Sequence, residues 1–362
     1  MLIVRSPVRI SLAGGGTDLP AYYRQHGGVV LSTAINKYFY SVLCRRSDDK
    51  IQIISSDLRV SETWTHLAVS EVCGSRLEIP LAVVKHLNRP VSCDLFLASE
   101  ILPGTGLGSS ASVCVNILTA LSHHLQVPLS KYELAESAYH IARNVLKKPV
   151  GKQDEYAAAF GGLNYIEFNP DDSTRVTPLF LPGGALHDLE DRLMLFFTGI
   201  SHDSWSILKS QERSTAKPAG ATVSSLHSIK DLAYRMRESL EAGDIDSVGA
   251  LLHEGWEAKK KLSGDISNSR IDGLYDLARQ SGARGGKITG AGGGGFLLLY
   301  CDLDKQDQVR HALAAEGLQE MSFRFDNAGA QVITDDPFLD GDRESGLCWN
   351  FIAMNGGLSI PS

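Results

Sequence analysis

Pro103-Gly104-Thr105-Gly106-Leu107-Gly108-Ser109-Ser110-Ala111 joins a strand-like run, Val91 to Ile101, to a helix-like run, Ser112 to Leu125. Alternate glycines let the backbone turn sharply and approach a ligand with no Cβ in the way. The serines fall where the helix begins, so unpaired N–H groups and the positive end of the helix dipole meet at the loop. Such a loop holds phosphate oxygens with few cationic side chains, and a serine hydroxyl there suits a magnesium ion. The plainer alternative is a glycine turn with a serine N-cap that only starts a helix. Neither common nucleotide loop fits: a Walker loop ends in Gly-Lys-Ser/Thr, and the dinucleotide fingerprint needs a glycine where Ser109 stands.

Outward from the loop, periodicity sets the elements. Upstream, Leu2 to Ala13 alternates as a strand into Gly14-Gly15-Gly16-Thr17-Asp18, and Thr17 or Asp18 is placed to cap a short helix through His26. Val29 to Cys44 and Lys50 to Trp64 read as an antiparallel meander, Ile79 to Leu87 as a helix and Ser92 to Ala98 as the strand entering the loop. Downstream, Ser130 and Glu133 form a capping box that opens a helix predicted to run to Leu146. Gly151 to Gly162 places Asp154 at the start of an alanine-rich helix, where an acid also serves as a plain first-turn charge. Leu163 to Phe168 and Val176 to Leu181 are strands, and Pro182-Gly183-Gly184 marks a boundary.

The second half reads as a strand from Leu193 to Thr198, helices at Leu226 to Leu240, Ile245 to Leu262 and Ile271 to Gln280, and the glycine-rich stretch Gly282 to Phe296. A strand at Leu297 to Cys301, a helix at Gln306 to Leu313 and a last strand at Ser322 to Phe325 follow. His123 and His124 close a helix as cations, and Lys259-Lys260-Lys261 read as a solvated helix end, with a substrate-phosphate role for one of them as the alternative.

Composition narrows the function classes. With 362 residues, 43% apolar and 21% charged, the chain has material for two folded domains. A net charge of −7 argues against a nucleic-acid surface, so anion binding has to be local. Six scattered cysteines, Cys44, Cys73, Cys93, Cys114, Cys301 and Cys348, without a Cys-x-x-Cys, suit a reducing cytosol. No apolar run has the length of a membrane span, and Met1 to Ile10 is no signal peptide, so the expected location is cytoplasmic.

Gly106 to Ala111, Gly-Leu-Gly-Ser-Ser-Ala, resembles the second motif of the GHMP kinases, a superfamily of small-molecule kinases, although Pro103 stands three residues before Gly106 where many members have four. Arg5 to Pro20 resembles the first motif in the form of the sugar-kinase branch that phosphorylates the anomeric hydroxyl of D-glycero-D-manno-heptose 7-phosphate. Gly151 to Asp154 is similar to that branch's Gly-x-x-Asp segment, and Lys287 to Gly295 to the third motif, which packs beside the phosphate loop.

The resemblance implies a two-domain α+β fold, with a ribosomal-protein-S5-like domain over 1–184, a ferredoxin-like domain over 185–334 and a tail over 335–362. ATP and magnesium are the implied cofactors and a small sugar phosphate the partner; a homodimer is admitted but not specified. Pro103, Gly104, Thr105, Gly106, Leu107, Gly108, Ser109 and Ser110 would bind ATP, and Ser110 the metal. Asp154 and Arg9 would be catalytic, Arg9 standing where the superfamily carries lysine; Gly15, Gly16, Thr17, Asp18, Gly292 and Gly293 would bind substrate. Two departures stand out: Ala142 occupies the place of a magnesium-binding glutamate, and His202 that of an arginine expected for the remote phosphate.

Overall fold

The computed structural model describes residues 1–65, 74–200, 204–215 and 221–336; Cys73, His202, Cys348 and the tail beyond 336 lie outside the described residues. Strand β1 (Leu2–Ala13) has the bounds expected from its alternation. Helix α1 (Pro20–His26) starts on a proline, whose missing N–H costs nothing at a first turn. Leu19 is its N-cap, so neither Thr17 nor Asp18 caps it.

Next come β2 (Gly28–Arg45), β3 (Lys50–Ser55), β4 (Val60–Thr65), α2 (Glu78–Leu87) and β5 (Cys93–Ser99). The expected meander is interrupted: β5 lies between β2 and β3, antiparallel to the first and parallel to the second. Helix α3 (Ser109–His124), α4 (Lys131–His140) and α5 (Gln153–Phe160) cover this sheet and bury Cys114, Val115, Leu118, Ala135, Ala138 and Ala158 in one cluster. The Ser130–Glu133 capping box is present. The helix expected to reach Leu146 instead ends α4 at His140 and passes into a π-helical turn, Ile141–Val145, which carries Ala142. Such turns are rare and widen a helix locally, often beside a site.

Strands β6 (Leu163–Phe168) and β7 (Thr174–Pro178) extend the sheet from the first half of β2. Beyond the turn at Pro182-Gly183-Gly184, α6 (Ala185–Arg192) leads to β8 (Leu193–Phe197), followed by α7 (Ser204–Thr215), α8 (Ala221–Glu241), α9 (Ser247–Lys260) and α10 (Ser269–Gln280). Then come β9 (Ala283–Ile288), β10 (Phe296–Cys301), α11 (Gln306–Ala315) and β11 (Gln319–Glu320). These strands form an antiparallel sheet in the order β11-β8-β10-β9.

Strand β9 falls inside the glycine-rich stretch Gly282 to Phe296, for which the sequence predicts no strand. Its glycines are needed for packing: a Cβ on Gly285 would sit 1.9 Å from the Gly249 carbonyl of α9, so helix and strand touch backbone to backbone. In place of a strand at Ser322 to Phe325 there is a single bridge, Phe325 to Ile35. The chain then crosses back as β12 (Gln331–Asp335) along β1, so the first domain is built from both ends of the described chain. Val8, Ile10 and Leu12 of β1 join Leu232, Met236 and Leu298 in one buried cluster that welds the two domains together. Strand period turns Arg9 and Ser11 to the other face, toward a cleft.

Candidate active site

A cavity of about 360 Å³ opens in that cleft, lined by the phosphate-type loop, both ends of the 14–18 turn, the start of α5 and parts of α7, α9 and the third glycine loop. Gly104, Gly106 and Gly108 all have positive φ, at 74°, 82° and 78°. Gly108 is the N-cap of α3 and no side chain caps it, which leaves the first-turn N–H groups for a ligand. Pro103, Ser109 and Ser110 also line the cavity, whereas Thr105 and Leu107 are buried away from it. The Leu107 carbonyl accepts from Arg9 N–H at 2.9 Å and that of Thr105 from Phe296 N–H at 3.3 Å, so these two carbonyls moor the loop.

The loop's shape depends on the third motif behind it. A Cβ on Gly106 would lie 2.6 Å from the Thr289 carbonyl oxygen, and one on Gly290 would lie 2.6 Å from Gly106 Cα. Gly106→Ala is therefore expected to destabilise the protein by about 2–4 kcal/mol, from left-handed strain plus overpacking. Urea unfolding checks it; an unchanged midpoint would show that the two loops do not press on each other.

Arg9 and Asp154 form the centre. Arg9 Nε donates to Asp154 Oδ1 and Nη2 to Oδ2, both at 2.7 Å, while Nη1 donates to the Gly106 carbonyl at 2.7 Å. One guanidinium thus ties the helix-borne acid to the glycine loop. A Cβ on Gly108 would stand 3.2 Å from Asp154 Oδ2, so loop and carboxylate are in contact.

Asp18 sits 3% exposed at the neighbouring end. Its Oδ1 accepts from Gly16 N–H at 2.9 Å and Gln153 Nε2 at 3.0 Å, and its Oδ2 from Gln153 N–H at 3.2 Å. Gly151 leaves room for it, since a Cβ there would fall 2.0 Å from Oδ2. Burial, then the charge of Asp154, raises the Asp18 pKa, against the backbone N–H bonds that lower it. Along the Gly15 to Asp18 turn stand Ser11 Oγ, Gln153 Oε1 and Gln211 Nε2, three buried polar atoms without a protein partner, all on cavity-lining residues. No local sequence signal marks these three, because only tertiary approach brings them together.

Several expected substrate residues lie elsewhere. Thr17 is fully buried; its hydroxyl is 2.8 Å from the carbonyls of Gly14 and Val29 and accepts from Val29 N–H at 3.0 Å, so it staples the turn. Gly15, Gly16 and Asp18 do line the cavity. Gly292 and Gly293 do not: Gly292 packs on Ile266, and Gly293 N–H donates to the Ile266 carbonyl at 2.8 Å. From that loop Gly290 and Ala291 reach the cavity instead.

Two lysines face the same space. Lys259 lines the cavity and donates from Nζ to the Gly290 carbonyl, so it is no solvated helix end. Burial, then the positive charge of Arg9, pulls its pKa down to about 7. Lys287 donates to the Leu12 carbonyl at 3.3 Å, and burial with the charges of Lys259 and Arg9 holds it well below the usual lysine value. Two amines with a lowered proton affinity beside Arg9 mark a space that gains from an anion. Glu155, next to Asp154, is pushed the other way, well above the ordinary carboxyl range, first by burial and then by Asp154.

A polyphosphate fits this donor set: bare N–H groups of α3, glycines without Cβ atoms, the Arg9 cation and two lysine amines whose protonation an anion favours. For a magnesium ion the protein offers less. Ala142 lines the cavity without an oxygen, and no cluster of three or more His, Cys, Asp or Glu is arranged for a metal among the described residues. The exposed Ser110 at the start of α3 suits a cation that arrives on phosphate oxygens and keeps some of its waters.

Comparison with known proteins agrees with this geometry. The model of the GHMP kinases N terminal domain matches residues 78–162, and that of the GHMP kinases C terminal matches 236–319. A D-glycero-alpha-D-manno-heptose 7-phosphate kinase of Campylobacter jejuni is 32% identical over 335 residues, spanning 90% of this chain and 97% of its own. Among solved structures, a D-glycero-D-manno-heptose 1-phosphate kinase from Bacteroides thetaiotaomicron has a TM-score of 0.77 at 28% identity, over 93% of this chain and 100% of its own. A Campylobacter jejuni protein described as a putative sugar kinase has a TM-score of 0.73 at 32% identity, over 91% and 97%. Identity of that size across nearly the whole of both chains, with the two halves matched in the same order, makes this protein a member of the GHMP kinase family.

Proposed function

We propose that the protein is an ATP-dependent sugar kinase that phosphorylates the anomeric hydroxyl of D-glycero-D-manno-heptose 7-phosphate, giving the 1,7-bisphosphate. The observation that carries this is the set of unpaired polar atoms of Ser11, Gln153 and Gln211 along the Gly15 to Asp18 turn. Buried polar atoms without partners are costly, and a polyhydroxylated ligand would pair all of them. The heptose phosphate kinases among the relatives support the choice of sugar.

Magnesium-ATP, when bound, supplies the phosphoryl group and a counter-charge for its oxygens, with Ser110 the residue to hold the metal. The glycine loop and the start of α3 cradle the phosphates. Asp18 and its neighbours fix the sugar. Asp154 orients the attacking hydroxyl: two of its lone pairs serve Arg9, and others remain to accept the hydroxyl proton. Because phosphoryl transfer is loose and a carboxylate is a weak base for an alcohol, that proton moves late and positioning dominates. Arg9, Lys259 and Lys287 neutralise charge on the transferring group.

Lys259 gives this scheme a pH signature. Its amine is charged below about 7 and loses its charge above, so kcat/KM, which follows the free enzyme, should fall as pH rises through about 7. Lys259→Arg stays charged and should lose that alkaline limb, while Lys259→Met should lower kcat/KM about 10²-fold at pH 6.5. A Lys259→Met enzyme with the wild-type profile would remove Lys259 from the scheme.

The decisive assay is ADP release from magnesium-ATP with heptose 7-phosphate, mannose, fucose, galactose or no sugar. Release confined to the phosphorylated heptose, with product phosphorylated at C1, is expected. Preference for a free sugar would redirect the acceptor assignment, and silence in protein that binds ATP would make it a binding protein without turnover.

A further inference from the structure

The proposed transfer gives no task to Glu155. It follows Asp154 in the first turn of α5, is 3% exposed and lines the cavity, yet its Oε2 has no hydrogen-bond partner. A buried acid with an unsatisfied oxygen is unfavourable unless something else binds that oxygen. Its surroundings indicate what that is. Helix α5 packs against α3 and α4, and Asp154, Asp18 and Arg9 are the charged groups that bear on Glu155. Cys114 stands one turn after Ser110 on the same face of α3, Ala142 sits in the π turn that follows α4, and Glu155 lines the same cavity as all three. Cys114 and Ala142 both reach the cavity, and neither brings an oxygen donor from its side chain.

We propose that Glu155 is the carboxylate ligand, together with the Ser110 hydroxyl, of the divalent cation that enters with the nucleotide. This rests on the protein being an ATP-dependent kinase. The acid that Ala142 cannot supply from the π turn comes from α5 instead, one residue after Asp154, so a single helix start positions both the acceptor hydroxyl and the metal. A hard cation of this kind takes a carboxylate, a hydroxyl and phosphate oxygens readily and needs no closed protein cage.

The test uses Mn²⁺ as the probe, with ADP as the nucleotide and electron paramagnetic resonance as the readout of free metal. Wild-type protein with ADP should bind Mn²⁺, and Glu155→Gln should bind it at least about tenfold more weakly. ADP affinity measured in EDTA should agree within about twofold between the two, because the amide keeps the shape. Glu155→Asp, which keeps the charge on a shorter arm, should fall between them. Adding Ala142→Glu to Glu155→Gln should restore Mn²⁺ affinity by returning an acid to the same space. Equal Mn²⁺ affinity in wild type and Glu155→Gln overturns the assignment. So does an equal loss of ADP affinity in EDTA, which would make Glu155 a packing residue. Wild-type protein that binds ADP neither with nor without Mn²⁺ overturns instead the kinase reading on which the assignment depends.

Discussion

Asp154→Asn lowers kcat by about 10²–10⁴-fold, the range for loss of a positioned acid–base group, with little change in KM for the sugar. The split follows from the geometry. In the proposed scheme the sugar hydroxyls are held by Asp18, Ser11, Gln153 and Gln211, none of which contacts the Asp154 carboxylate through a hydrogen bond. The amide, by contrast, turns an N–H toward the Arg9 fork that now donates to both carboxylate oxygens. Steady-state ADP release together with calorimetric nucleotide binding separates the terms: nucleotide affinity should stay close to wild type while turnover collapses. Near-normal turnover would remove Asp154 from the chemistry.

Arg9→Ala is the second large effect, with kcat down about 10³-fold and the milder Arg9→Lys down about 10²-fold. Lysine keeps the charge, but one ammonium cannot span both oxygens of Asp154 and the Gly106 carbonyl in a planar fork. Without that fork Asp154 and the loop are positioned independently, and a misplacement of about 1 Å is worth about 10²-fold. The stability cost should be below the about 3–5 kcal/mol of a fully buried pair, since the Asp154 side chain is 29% exposed. Kinetics and thermal melts of both variants check this. An Arg9→Lys enzyme with unimpaired kcat would mean that charge alone suffices there.

Features with a local cause were legible in the sequence. Strand β1 follows from alternation, the start of α4 from its capping box, and the loop from three glycines ahead of two serines. What depended on tertiary approach was not. Lys259 is one of three consecutive lysines, and charge pattern cannot tell which faces inward; the contact of Gly249 with Gly285 fixes that rotation of α9. The same contact hid β9, because the glycines it requires look like loop. Strand β12 carried the β-branched run Val332-Ile333-Thr334 as a signal, but it is short, and its partner lies at the opposite end of the sequence. Thr17 and Asp18 both read as candidate caps, and the resemblance gave Asp18 to the sugar; the cap is Leu19, and Asp18 is held by Gln153, a neighbour no spacing rule supplies.

The return of β12 to β1 has a consequence for how the molecule is made. Leu2 to Arg5 pair with Gln331 to Asp335, so the first third of β1 stays a bare edge until almost the entire described chain has been synthesised. Bare edges recruit other strands, and contacts between distant residues close slowly. The nascent chain therefore carries an exposed template for most of its synthesis. A fragment cut at the 182–184 turn would keep that template permanently, so solubility, rather than loss of the second domain's chemistry, is what would limit attempts to study the first domain alone.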